Sequence, residues 1–213
     1  MVTRPTSKSE IKRRLGETQV AATRQGIVDA SERLFLEQGL EHTTMADIAR
    51  AAQITTVTLY RYFPGRDPIA FEVAARKMRA IAAAPRVDDR RLTLAAVRQI
   101  ALGLIDHFDE LRDAYRYMGM FDHLYGDRYP NEALATWYKD LVFSLEWGGV
   151  SLRKAGRAPA LREQIIVTLN TVLCFLEKMA ARGALLSREQ GIPLDAQLRH
   201  FRGMIAATLD RLE

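Results

Sequence analysis

The chain has 213 residues, 48% of them hydrophobic and 27% charged, enough to bury a core as one large or two small globular domains. A net charge of +5 leans toward an anionic partner. A lone cysteine, Cys174, excludes an intrachain disulfide framework, and no apolar run has the form of a signal peptide or a charge-free membrane span, so the expectation is a cytoplasmic protein with no membrane partner.

Almost every segment follows the helical period and none keeps strand alternation, which predicts an all-α fold. Before Arg24 the chain carries Arg4, Lys8, Lys12, Arg13 and Arg14 against Glu10 and Glu17, read as a flexible basic arm or a plain disordered tail. A first helix is predicted over 23–38, capped by Thr23, with Ile27, Ala30, Leu34 and Phe35 on one face and Gly39 as its left-handed terminator. Thr44 then caps a second helix, because Asp47 three residues later can reach back to it, and Ile48, Ala49 and Ala52 give that helix an apolar face. Thr55 caps a third. In it Val57, Leu59 and Phe63 are expected to face inward while Thr56, Thr58, Tyr60, Arg61 and Tyr62 project outward. A tight turn joining two short helices, the second rich in hydroxyls and low in charge, suits a major groove. A fourth helix over 66–83 connects this head to the rest, and the polar, proline-led stretch 85–90 is the expected domain boundary.

Residues 23–71 resemble the tetracycline-repressor (TetR) family of bacterial transcription regulators. The resemblance rests on Ala30, Leu34, Phe35 and Gly39, on Thr43-Thr44 and Ile48-Ala49, and on Leu59-Tyr60-Arg61-Tyr62-Phe63. It departs at Gln53, where the family turn usually has glycine, and at Pro68, which suits the first turn of the next helix. The resemblance implies a DNA-binding head at 21–81, with the helix-turn-helix at about 44–63, and a C-terminal ligand-binding and dimerisation domain at 86–213. It implies base contacts from Thr56 and Thr58, phosphate contacts from Thr44, Tyr60, Tyr62 and Arg66, and a DNA site that includes Thr55 and Arg61.

Beyond residue 84 the pattern predicts helices over 91–111 and 113–125, a break at 126–130, a long helix over 131–154 kinked by Gly148-Gly149, a turn at 156–159, and helices over 159–185 and 194–212. The last places Leu194, Leu198, Phe201, Ile205, Leu209 and Leu212 in one seam, while its partner, with Ile165, Ile166, Val167, Leu169, Val172, Leu173, Phe175 and Leu176, is apolar nearly all round. Such a helix needs covering on two sides, and a two-fold four-helix interface is the dimer that the resemblance implies. The aromatics and methionines between 108 and 147 suit a small-molecule pocket, for which His107, Tyr117, Met118, Phe121, Tyr138, Phe143, Trp147 and Asn170 are the candidate lining residues.

Enzymatic signals are missing: the four histidines are scattered, there is no metal-ligand spacing, and no phosphate loop or nucleophile elbow is present. No catalytic residue, metal or cofactor is expected. The expected function is a one-component regulator, a repressor, binding palindromic operator DNA through the major groove as a homodimer and released by a small-molecule effector. The rival readings are a helical-bundle enzyme and a partner-binding helical protein without DNA.

Overall fold

The computed structural model describes residues 8–126, 132–153 and 159–211. It contains α1 (Lys8–Gln38), α2 (Met45–Ala51), α3 (Thr56–Tyr62), α4 (Arg66–Ala83), α5 (Leu94–Asp106), α6 (Phe108–Gly126), α7 (Glu132–Ser144), β1 (Glu146–Trp147), β2 (Val150–Ser151), α8 (Pro159–Gln190) and α9 (Leu194–Asp210). Among the described residues the fold is all-α apart from one hairpin of two two-residue strands. Two compact units divide inside α4, at Met1–Val73 and Ala74–Glu213. The expected boundary stretch at 85–90 belongs to the second unit, where the Cβ a substitution would add at Gly103 of α5 would come 3.1 Å from Pro85.

In the N-terminal unit α1 extends well beyond its expected start. Thr23 is not its cap: it sits mid-helix, and its hydroxyl donates to the Gln19 carbonyl at 2.9 Å, one turn back. The stretch read as a flexible arm is therefore helical from Lys8; Arg4 and the side chains of Lys8, Lys12, Arg13 and Arg14 lie outside the described residues. Gly39 ends α1 at φ +91. Ile27, Val28, Phe35, Leu40, Ile48, Leu59, Phe63 and Ile69 form the buried core of this unit. Arg24 of α1 lies over the Phe63 ring, 4.3 Å from its centroid, and pairs with Glu72 of α4, so one cation pins three segments together.

The C-terminal unit is a bundle in which α8 packs against α5, α6 and α9, and α5 also packs against α9. Two helix ends differ from expectation for local reasons. Thr93, whose hydroxyl accepts from the Ala96 N–H at 3.1 Å, starts α5 at Leu94. His107 then breaks what read as one helix over 91–111.

The larger correction is at Gly148-Gly149. The helix expected over 131–154 stops at Ser144, and the two glycines, at φ +59 and +87, form the two-residue turn of the β1–β2 hairpin. Two successive positive φ values are what a type I′ hairpin turn demands, and Gly-Gly supplies them without a Cβ penalty. The Gly148 N–H donates to the Ala82 carbonyl in the last turn of α4 at 2.8 Å, tying the hairpin tip to that helix. A Cβ at Gly148 would come within 2.7 Å of Val87 Cγ2 and 2.8 Å of the Pro85 carbonyl oxygen, whereas at Gly149 it would meet only the flexible Arg90 side chain at 3.4 Å. Gly148→Ala is expected to destabilise the protein by about 3 kcal/mol, strain and clash together, and Gly149→Ala by about 1 kcal/mol. Urea denaturation of the two variants measures the difference; equal costs would contradict the docked hairpin.

Candidate nucleic-acid interface and effector cavity

The helix-turn-helix is built from its caps. Thr44 and Asp47 form a reciprocal capping box: the Thr44 hydroxyl accepts from the Asp47 N–H at 3.2 Å, and the Asp47 carboxylate accepts from the Thr44 N–H at 3.2 Å. The Thr44 hydroxyl, which donates to the Asp47 carboxylate at 2.6 Å, then the Thr44 N–H and the neighbouring Arg50, hold the Asp47 carboxyl below its usual range. Gln53 occupies the turn at φ +57, the left-handed conformation for which the family motif uses glycine, so the geometry is kept at a strain of about 1 kcal/mol. The Thr55 hydroxyl accepts from the Thr58 N–H at 3.1 Å and opens α3.

On α3 the face differs from expectation most at Val57, and in part at Thr58 and Tyr62. Val57 is 76% exposed, not inward. Positions 57 and 59 are about 200° apart on a helix, so burial of Leu59 and Phe63 turns Val57 outward. The exposed face is Thr56, Val57, Tyr60 and Arg61, spaced as two i, i+4 pairs. Thr58 and Tyr62 lie half-buried at its flanks, and the Thr58 hydroxyl is 2.9 Å from that of Thr55. Thr44 and Arg66 line one open surface groove together with Met45 and Gly65. Arg66 is not a loose surface cation, however. Its Nη1 donates to the carbonyls of Leu40, Glu41 and Thr43 at 2.9, 3.1 and 3.4 Å, clasping the α1–α2 turn to the start of α4.

In the C-terminal unit a cavity of about 260 Å³ opens between α6, α7, the hairpin and α8. Of the candidate ligand residues, Phe143, Trp147 and Asn170 line it. Tyr117, Met118 and Phe121 do not; they are fully buried core on α6, with Tyr117 stacked on Phe121 and Phe121 packed against Tyr125 and Trp137. His107 caps α5, its Nδ1 2.8 Å from the Gly103 carbonyl, and the Tyr138 side chain lies outside the described residues. The residues that sequence reasoning missed are the acids Asp122 and Glu177, which share this cavity from α6 and α8. Each reads as an ordinary surface carboxylate in the sequence. Burial first, and then the charge of Asp122, push the Glu177 carboxyl up to about 8. Gly119 of α6 packs against the same residue: a Cβ there would lie 3.4 Å from the Glu177 Cβ, in van der Waals contact.

The sequence profile described as bacterial regulatory proteins, tetR family, matches residues 27–73, the segment that holds the capped helix pair. The chain carries a tetR-type head. Over 52 residues, 24% of this chain and 23% of the relative, it is 42% identical to the HTH-type transcriptional regulator HbdR of Aromatoleum sp. (strain CIB). Over 64 residues, 30% of this chain and 31% of the relative, it is 39% identical to an uncharacterised HTH-type transcriptional regulator of Mycobacterium tuberculosis (strain ATCC 25618 / H37Rv). The chain thus spans under a third of the length of the curated relatives it matches. The similarity in fold reaches further. Salmonella enterica GusR superposes with a TM-score of 0.57 at 21% identity over 89% of this chain and 96% of that one. A tetR-family transcriptional regulator from Streptomyces coelicolor gives 0.52 at 18% identity over 91% and 84%.

In the C-terminal unit, α8 and α9 leave an apolar surface. The α9 seam expected at the dimer interface is largely turned inward, with Phe201, Ile205 and Leu209 buried in the protomer, Leu194 and Leu198 half-buried, and Leu212 outside the described residues. What faces solvent is a second strip: Met204 at 54% and Ile192 at 47% exposure flank a groove shared with Phe175, Gln197 and His200. Phe175 and Phe201 stack at 3.8 Å between centroids across α8 and α9 and form its floor. Residues 162–190 of α8 are long and apolar enough to cross a membrane by length and composition, and α8 packs against α5, α6 and α9.

Proposed function

We propose that the chain is a cytoplasmic, homodimeric one-component regulator that represses transcription by placing α3 in the major groove of an operator and leaves it when a small molecule fills the C-terminal cavity. The observation that carries this reading is the exposed Thr56, Val57, Tyr60 and Arg61 face on a doubly capped helix pair. Hydroxyls on such a face bond to base edges, the Val57 methyls fit a thymine methyl, and Thr44, Tyr60 and Tyr62 suit phosphates. Arg66 serves DNA by holding the groove beside Thr44 rather than as a free contact. The second copy covers the Met204–Ile192 strip.

The coupling runs through α4. Trp147 lines the cavity, and the neighbouring Gly148 holds the Ala82 carbonyl at the far end of α4, while Arg66 clasps the near end to the α1–α2 turn. A ligand that displaces Trp147 moves the hairpin, and with it the helix that both units share. The ligand binds the DNA-free state more tightly, so operator and ligand weaken each other by the same factor.

Titration of DNA from upstream of the gene, with salt varied, tests the head. Tyr60→Phe and Thr44→Ala are expected to weaken all sequences alike, whereas Thr56→Val and Val57→Ala change base preference, with uracil-for-thymine substitution costing wild type about 1 kcal/mol and Val57→Ala little. Unaltered affinity and preference across all four variants would remove α3 from the groove.

A further inference from the structure

We propose that Arg61 of α3 reads a guanine in each operator half-site, its guanidinium donating to the O6 and N7 of the base about two base steps from the thymine under Val57; this rests on the reading of α3 as the helix in the groove. The angular order of the helix singles the position out. At about 100° per residue, Val57 and Arg61 each stand about 160° from the buried Leu59, on opposite sides, and so point most nearly away from the core of the head. Tyr60 and Tyr62 stand about 100° and about 60° from Leu59, turned toward the flanks, where the groove walls carry phosphates. The outermost line of α3 is thus one methyl-bearing side chain and one cation, a single turn apart.

Arg61 is also the uncommitted arginine of the helix pair. Arg50 of α2 is paired with Asp47 at 3.0 Å, and Arg66 donates to three carbonyls at the α1–α2 turn. Among the described residues Arg61 has neither a hydrogen bond nor an ion pair, and residues 53–65 include no acid to supply one. A guanidinium offers donors only, in a planar fork. In the major groove guanine alone presents two acceptors side by side; adenine sets an acceptor beside a donor, thymine sets O4 beside its methyl, and cytosine presents a donor. A free fork facing the base edges therefore selects guanine. The rise from Val57 to Arg61 along the helix is about 6 Å, close to two base steps of about 3.4 Å, which sets the spacing between the two bases.

The test is selection of bound duplexes from a random-sequence pool by the full wild-type chain and by Arg61→Gln. Wild type is expected to select half-sites with a fixed guanine, and Arg61→Gln to select adenine at that position, because a glutamine amide matches the acceptor and donor of adenine. On the selected site, 7-deazaguanine, which lacks the N7 acceptor, is expected to weaken wild type on the order of tenfold per half-site and Arg61→Ala not at all. Half-sites selected without a guanine at this spacing, equal losses for wild type and Arg61→Ala on 7-deazaguanine, or an Arg61→Gln selection that stays with guanine would overturn the assignment and leave α3 in the groove. An Arg61→Ala variant that weakens all sequences alike and lowers the salt slope by about one, as loss of a phosphate contact does, would overturn it too. Wild-type protein that selects no sequence removes the groove reading itself, and the assignment with it.

Discussion

Met204→Asp is expected to leave the protomer folded, convert the proposed dimer to monomers and lower operator affinity by at least about 100-fold. Met204 is 54% exposed in the protomer, so an aspartate there meets water and changes no internal packing. In a two-fold interface every substitution occurs twice. Burying two carboxylates against the Phe175–Phe201 floor costs on the order of 4 kcal/mol, about three decades in the dimerisation constant. Operator affinity follows, because a monomer holds one half-site and loses the advantage of the tethered second head. Sedimentation and far-ultraviolet dichroism together check the first two outcomes. Ile205→Asp is the contrasting case: Ile205 is 9% exposed and belongs to the protomer's own core, so that variant unfolds rather than dissociates. Wild-type protein that sediments as a monomer at micromolar concentration would contradict the interface.

Glu177→Gln is expected to stabilise the ligand-free protein, and by more at higher pH. Between the ordinary carboxyl value of 4.5 and about 8, the folded state keeps a proton on Glu177 that the unfolded chain has released. The unfolded state then binds fewer protons, so Glu177 lowers stability progressively as pH rises through that window and its cost is complete above about 8. Glutamine removes the cost at similar shape. Against wild type, the gain should grow to on the order of 2–3 kcal/mol between about pH 5 and about pH 8 and then level off. Thermal unfolding across that range reads it directly; a gain that is flat with pH would mean that Glu177 is already ionised and hydrated in the fold.

The head was largely legible because its signals are local. Thr44 with Asp47, Thr55 and Gly39 each act within one turn of chain, and they do what their spacing predicts. Val57 was misread because three apolar residues were assigned to one face although position 57 lies across the helix from position 59; the angular count, not the residue type, decides. Gly148-Gly149 was read as a kink since helical periodicity surrounds it, and only the tertiary bond to Ala82 distinguishes a hairpin tip from a weak helix interior. Similarly, Thr23 has a cap's chemistry but lies inside a longer helix.

The C-terminal unit was less legible for a different reason. Aromatic and methionine content does not separate core from cavity wall, and Tyr117, Met118 and Phe121 went one way while Phe143 and Trp147 went the other. What marks the cavity is the meeting of Asp122 and Glu177, 55 positions apart in the numbering and on different helices. No periodicity carries that.

The most direct test of the proposed regulator function is a footprint of the wild-type protein on duplex DNA from upstream of its gene, with binding isotherms at several salt concentrations. A two-fold symmetric protected site is expected, its half-sites about 34 to 36 Å apart along the axis, occupied by two protomers with affinity that falls steeply as salt rises. Binding that is insensitive to salt, or protection with no symmetry and no preference over unrelated DNA, would contradict it.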